Sequence, residues 1–364
     1  MSSPWASLFP GVADRIWLNT AHQGPLPSVA VAAAERAIAE KTAPHRIPDE
    51  AFQERPAHLR GLLATLVGGD PDDIVLGNST SYGLHLIANG LTWRDGDEIV
   101  VVEGDYPATV LPFLAQPGVR VRGVPRDRLV EALTPQTRLL AVTWVDSFTG
   151  QVVDLDAVGA ACRERDVLFV VNASQGIGAR PLDVSRTPVD AVAACGYKWL
   201  CGPYGTGFSW IRPAVRARLD PRQAYWLAQQ AGGSLEHMRE YRIRDLGARG
   251  FDVFCPAAFL NNDTFAASVG LLTEIGIDKI AAHSRALVGQ VLAGLDPDRY
   301  RPISPDDSNL IVLRPLRADA TDLVQQLAAE GVDAASREGN VRLTPHLFNT
   351  AEQIAAACAL LNSY

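Results

Sequence analysis

Between about Pro56 and Arg212 the chain repeats one pattern: a short β-branched or aliphatic run, a polar or glycine-rich turn, then a segment with apolar residues at helical spacing. The runs fall at 73–76, 98–102, 119–124, 139–145, 167–171 and 189–194, and helices are expected over 28–42, 82–91 and 155–165. Strands that alternate with helices need crossover connections, so the pattern predicts an α/β fold with a mainly parallel sheet. In open sheets of this kind ligands bind outside the carboxyl ends of the strands. Thr80, Tyr106, Ser147, Asn172 and Lys198 each follow one of these runs, which makes them candidates for a single shared site.

Lys198 stands between Tyr197 and Trp199, after an apolar run and before a turn rich in Gly and Pro. A lysine walled by rings admits two readings. In one, its stem lies along aromatic surface and the charge stays in water. In the other it is desolvated, which lowers its pKa and frees the amine for imine chemistry. Upstream, Ser79, Thr80 and Ser81 open the helix over 82–91, where hydroxyls and free N–H groups make either a helix cap or a phosphate site.

The stretch over 195–207, with its order Gly196-Tyr197-Lys198-Trp199-Leu200, then Gly202-Pro203-Tyr204-Gly205-Thr206-Gly207, resembles the pyridoxal-phosphate lysine segment of the class V aminotransferases. The resemblance runs from about Asn19 to about Ile354. It implies a fold-type I enzyme with a seven-stranded sheet. It also implies a large cofactor-binding domain over 20–260 and a smaller one over 261–364 joined by 1–19. Lys198 would carry the cofactor, Thr80 and Ser81 its phosphate, Tyr106 would lie on its ring and Gln175 would reach the ring hydroxyl. Arg342, in a segment similar to the family's carboxylate-binding motif, would hold the substrate α-carboxylate; a lone arginine would otherwise read as a surface ion pair. His22 lies in a segment that passes near the substrate in the family, as substrate contact or as a hydrogen-bonded structural histidine.

Several positions depart from the family pattern. Asn172 replaces the acid that pairs with the ring nitrogen. Cys195 and Tyr197 stand where a phosphate-binding Ser and a His are common, and a tyrosine hydroxyl can still donate to phosphate. Ser147 replaces an Asn that touches substrate or cofactor. Cys255 falls where the family often has a Thr that reaches the partner subunit's phosphate. Desulfurases of the family use a Cys shortly before the carboxylate arginine, and 304–342 contains none.

The remaining sequence narrows the function further. A net charge of −8 argues against a general nucleic-acid binder. The five cysteines form no CxxC pair and suggest neither a zinc site nor a disulfide framework, and their odd number fits a reducing cytoplasm. The first residues lack a signal-peptide pattern, and no apolar run is long enough to span a membrane. Residues 239–249 form a basic, polar stretch, helical periodicity dominates 262–293, and strands are expected at 309–313 and near Val341. The expectation is a cytoplasmic homodimer without metal that uses pyridoxal 5'-phosphate on an amino acid, by transamination. A lyase acting by C–S or other β-elimination and an amino-acid epimerase are the alternatives, and a catalytically weak binding protein of the same fold is a further one.

Overall fold

The structure is a computed structural model that describes residues 3–220, 224–229, 239 and 243–364. Residues 240–242 of the basic stretch lie outside the described residues. Its strands are β1 (Ile16–Trp17), β2 (Ile74–Gly77), β3 (Glu98–Val102), β4 (Arg120–Val124), β5 (Thr137–Thr143), β6 (Leu168–Asn172) and β7 (Ala191–Cys195). They continue as β8 (Gly207–Ile211), β9 (Tyr300–Pro302), β10 (Ile311–Pro315), β11 (Val332–Asp333), β12 (Ala335–Arg337) and β13 (Asn340–Leu343).

Seven strands form the main sheet in the order β2-β8-β7-β6-β5-β3-β4. The pairs among β3 to β7 are parallel, and β8 runs antiparallel to both β7 and β2. β3, β6, β7 and β8 are buried at every position, which is why their sequences are nearly continuous apolar runs rather than alternating ones. The winding direction reverses between β3 and β5, and a reversal of this kind opens a crevice at the carboxyl ends of those two strands. Tyr106 follows β3 and Ser147 follows β5, so both stand at that crevice.

The expected helices are present, with the second starting at Thr80 rather than at residue 82 because Ser79 caps it, accepting from the Tyr82 N–H at 3.2 Å. The helical periodicity over 262–293 divides into two helices, Phe259–Ile275 and Ile277–Gly294. Gly276, at φ 93°, breaks it by taking a conformation that side-chain-bearing residues rarely adopt. A second, four-stranded antiparallel sheet has the order β12-β13-β10-β9, and β1 pairs with β11. Leu18 packs in the apolar cluster of this second sheet with Leu287, Ile311, Leu343 and Ile354.

Candidate active site

β6 delivers Asn172 and β7 leads through Cys195 into the turn that carries Lys198. The turn is closed on itself: the Cys201 N–H donates to Lys198 O at 3.0 Å and the Gly202 N–H to Gly196 O at 2.8 Å. A third contact comes from residue 24, whose N–H donates to Tyr197 O at 2.8 Å. A Cβ at residue 24 would sit 2.0 Å from Lys198 O, so this approach requires glycine. The segment leading to Gly24 is itself stitched to the second sheet. The Thr344 N–H donates to Leu18 O at 2.8 Å and the Ala21 N–H to the Thr344 hydroxyl at 3.1 Å.

Of the eleven residues singled out in the sequence, eight line one cavity of about 230 Å³: Thr80, Ser81, Tyr106, Ser147, Asn172, Gln175, Tyr197 and Lys198. Arg342 lies behind Ser147, donating through Nη1 to the Ser147 carbonyl at 3.2 Å. His22 is solvent-exposed, yet Arg337, Arg342 and Lys198 all act on its charge. Cys195 is buried in the β7–β8 pairing opposite Gly207, with its thiol beside the Tyr197 hydroxyl. Cys255 is exposed and accepts from the Tyr225 hydroxyl at 3.6 Å.

Lys198 is 8% exposed and its amine has neither a hydrogen-bond acceptor nor an acidic partner among the described residues. Its Nζ stands 5.5 Å from the centre of the Tyr106 ring and 5.9 Å from that of Tyr197. Burial, helped by repulsion from Arg342 and Arg337, holds its pKa below the ordinary lysine value. Of the two readings left open by the sequence, the structure has the desolvated amine. Arg342, 3% exposed, is pushed down to about 10 by burial and by Arg337, and its Nε has no partner among the described residues.

Five residues that the sequence did not single out arrange the rest. Ser174 donates to Asn172 Oδ1 at 2.6 Å, and its oxygen lies 2.6 Å from the Thr80 hydroxyl. Because the Ser174 proton goes to Asn172, the Thr80 proton goes to Ser174. The Asn172 Nδ2 donates to the Thr109 hydroxyl at 2.9 Å, which lies 2.8 Å from the Thr143 hydroxyl. The Thr143 hydroxyl and N–H both donate to Asp105, the N–H at 2.9 Å. Burial raises the Asp105 pKa, and these bonds and Arg126 oppose that rise. Trp199 Nε1 donates to Gln175 Oε1 at 2.8 Å, while Gln175 Nε2 donates to Ala21 O at 3.1 Å and to the Ser147 hydroxyl at 3.3 Å. The only sequence signal for Trp199 is its place next to Lys198. Ser174, the two threonines and Asp105 read as ordinary turn, helix and strand residues.

The model of the family described as aminotransferase class-V matches residues 40–353. An uncharacterised aminotransferase of Bacillus subtilis, YcbU, is 26% identical over 314 residues, spanning 84% of this chain and 82% of that protein. The isopenicillin N epimerase of Streptomyces clavuligerus is 29% identical over 374 residues, spanning 93% and 92%. A probable cysteine desulfurase of Methanothermobacter thermautotrophicus is 28% identical, spanning 78% and 73%. A solved structure of the cystine C–S lyase C-DES with its product cysteine persulfide superposes with a TM-score of 0.90 at 23% identity, over 98% of this chain and 99% of that one, which speaks to the fold. With the family model matching most of its length, the chain belongs to the aminotransferase class V family.

Proposed function

We propose that this chain is a pyridoxal-phosphate enzyme that acts at the amino group and Cα of an amino acid, and that its reaction is transamination. The observation that carries the reading is the buried amine of Lys198, unpaired among the described residues, at the wall of a cavity that also holds Tyr106, Asn172 and Gln175. The donor set suits the cofactor. The helix over Thr80–Gly90 turns its free N–H groups toward the cavity end formed by Ser79 and Ser81, where a phosphate is favoured. The Tyr106 ring is 38% exposed and free to cover an aromatic ligand.

When bound, pyridoxal phosphate supplies an electron sink for charge that develops at the substrate Cα. Every other task falls to the chain. Lys198 binds the cofactor through its amine and, once released, moves the proton at Cα. Its lowered pKa leaves more of it as the free base near neutral pH, which both steps require. Arg342 offers a guanidinium whose one hydrogen bond among the described residues is to a carbonyl, and a bidentate α-carboxylate satisfies the remaining donors. Gln175 is held at three points and so is ordered before binding; both Nε2 hydrogens are committed, to Ala21 O and the Ser147 hydroxyl, so it reaches a cofactor hydroxyl only by exchanging the longer Ser147 bond. Thr80, whose hydroxyl proton is used by Ser174, donates to a phosphate only through its backbone N–H.

A second reading, lyase or epimerase, is favoured by one observation: Asn172 puts a neutral amide where a charged partner would hold the ring nitrogen protonated. The absence of any Cys over 304–342 removes the nucleophile that a desulfurase needs there. We further assign the chain to the cytoplasm as a homodimer. All five cysteines are free and four of them are buried, which suits a reducing compartment. Among the described residues no helix is long and apolar enough to cross a membrane. Phe254 and Trp226 are exposed, and the Phe254 ring stacks on Tyr225, which lines a cavity with Phe52 and Trp226. Exposed aromatic surface of this kind suits a second subunit.

The test is to load the protein with pyridoxal phosphate, supply amino-acid pools, and follow keto acid, racemised product and ammonia. Keto acid formation, with loss of the visible absorbance in Lys198→Ala, is the expected result. A Lys198→Ala protein with full activity and a borohydride-reducible cofactor link would overturn it.

A further inference from the structure

The buried and half-buried arginines that pack inside this fold meet acids, whereas those without an acid partner among the described residues otherwise lie largely on the outer surface. Arg60 pairs with Asp252, Arg126 with Asp146 at 2.8 Å, Arg122 with Glu98 at 2.8 Å, and Arg216 with Asp73 at 2.5 Å. Two arginines beside the cavity do not. Neither Arg342 nor Arg337 has an acidic partner among the described residues, and the acids nearest the cavity, Asp105 and Asp146, are both committed to Arg126.

The fold brings these two guanidiniums to one face. β12 and β13 are joined by Glu338 and Gly339 at φ 48° and 72°, both left-handed, which is the backbone of a tight two-residue hairpin. The register sets Ala335 opposite Arg342 and Arg337 opposite Asn340. Paired residues share a face and residues two apart share it too, so Arg337 and Arg342 are diagonal neighbours on the same side, at the spacing of about 7–8 Å typical of such pairs and within reach of long side chains. Among the described residues Arg337 Nη1 donates only to the carbonyl of Ser336, its own neighbour. Its charge acts on Arg342, Lys198 and His22, depressing the proton affinity of all three, which places it on the cavity side of the hairpin. Among the titratable groups around it, His22, Lys198 and Arg342 are all cationic or neutral; Glu338 is exposed in the turn.

A half-buried cation with no counter-charge beside a second one that is fully buried is costly in the free protein and is relieved by an anion that binds both. We propose that the substrate is an acidic amino acid, whose α-carboxylate binds Arg342 and whose side-chain anion binds Arg337 with His22 beside it. This rests on the reading of the site as an amino-acid site and adds the substrate class to it. Arg337 is then the residue that sets specificity, and the second anion is a carboxylate or a group of similar charge and size.

The test uses the cofactor-loaded protein and two measurements. In the first, succinate and glutarate are titrated against propionate and butyrate, read by perturbation of the cofactor absorbance. A charged hydrogen bond is strong enough that the dicarboxylates are expected to bind at least about tenfold tighter. In the second, kcat/KM is compared for aspartate, glutamate, 2-aminoadipate and O-phosphoserine against alanine and norvaline. The acidic set is expected to lead by about tenfold or more, and Arg337→Gln is expected to bring that ratio to about one. Cofactor affinity is measured in parallel for Arg337→Gln. Equal binding of mono- and dicarboxylates, preference for neutral amino acids, or a weakened cofactor with an unchanged substrate ratio would each overturn the assignment of Arg337. If the loaded protein bound no carboxylate and turned over no amino acid, the reading of the site itself would fall, whereas turnover confined to neutral amino acids sinks only the substrate class.

Discussion

The Asn172 amide is held at both ends: Oδ1 accepts from Ser174 at 2.6 Å and Nδ2 donates to Thr109 at 2.9 Å. Its orientation is therefore fixed by the chain and not by whatever occupies the cavity. One Nδ2 hydrogen is spent on Thr109, so the other is the group that Asn172 can offer to a ring nitrogen. An N–H donor stabilises an unprotonated nitrogen. The donors from Asn172 through Thr109 and Thr143 all point toward Asp105, so that carboxylate acts on the amide at a distance, through hydroxyls.

Asn172→Asp should consequently raise the share of keto acid among the products. A carboxylate raises the ring pKa, and one unit of that pKa corresponds to about 1.4 kcal/mol between protonation states. The expected change is about tenfold in the ratio of keto acid to racemised or eliminated product, accompanied by a new absorbance spectrum with a good substrate. Identical spectra and product ratios for the two proteins would remove the amide from this role.

Arg342→Ala should separate amino acids from simple amines. Losing a charged contact costs about 1.5–3 kcal/mol, so KM for amino acids is expected to rise about tenfold to a hundredfold, with a much smaller rise for amines that lack the carboxylate. Steady-state kinetics on an amino acid and its decarboxylated amine decide it; parallel increases would remove Arg342 from the substrate.

Trp199→Phe keeps a packed ring but deletes the donor to Gln175 Oε1. A buried acceptor left unmade costs about 1–3 kcal/mol, and Gln175 is freed to turn. Lower thermal stability and weaker cofactor binding are expected together. Trp199→Phe with cofactor affinity intact would mean that Gln175 does not need this anchor.

His346 links stability to pH. It is fully buried, one ring nitrogen lies 3.0 Å from Trp199 O, and burial pushes its pKa down to about 3. Its folded pKa is below the unfolded value of 6.5, so the unfolded chain binds the extra proton and stability falls as pH drops from about 6.5 toward 3. The loss approaches about 1.4 kcal/mol per pH unit within that window. His346→Gln should flatten the dependence of the melting temperature between about pH 6.5 and 4.5 relative to the parent protein; equal slopes would show that other groups govern it.

Most strands of the main sheet were legible because buried parallel strands are written as apolar runs, as in Ile99 to Val102 of β3 and Leu168 to Val171 of β6. Lys198, Gln175 and Arg342 stood out because each sits in a motif with several fixed residues around it. The relay from Asn172 to Asp105 did not, because Thr109 and Thr143 are 34 residues apart and a lone threonine carries no mark of its partner. Arg337 was silent for a different reason. Its meaning lies in the absence of an acid beside it among the described residues, and ion pairing is a property of space rather than of sequence. The break at Gly276 was hidden by apolar spacing that continues through it.

Gly24 leaves no room for a side chain beside Lys198 O, and the stretch of chain that ends in it is tied to Thr344. His346, two residues further, touches Trp199 O. Three stretches of chain made at widely separated times during synthesis thus meet on the backbone around one lysine. A nascent chain that has completed β8 owns the whole seven-stranded sheet but lacks the residues that lock the lysine turn from behind. The lysine turn is therefore held from behind only once the second sheet has been made, so its geometry depends on the last part of the chain to leave the ribosome.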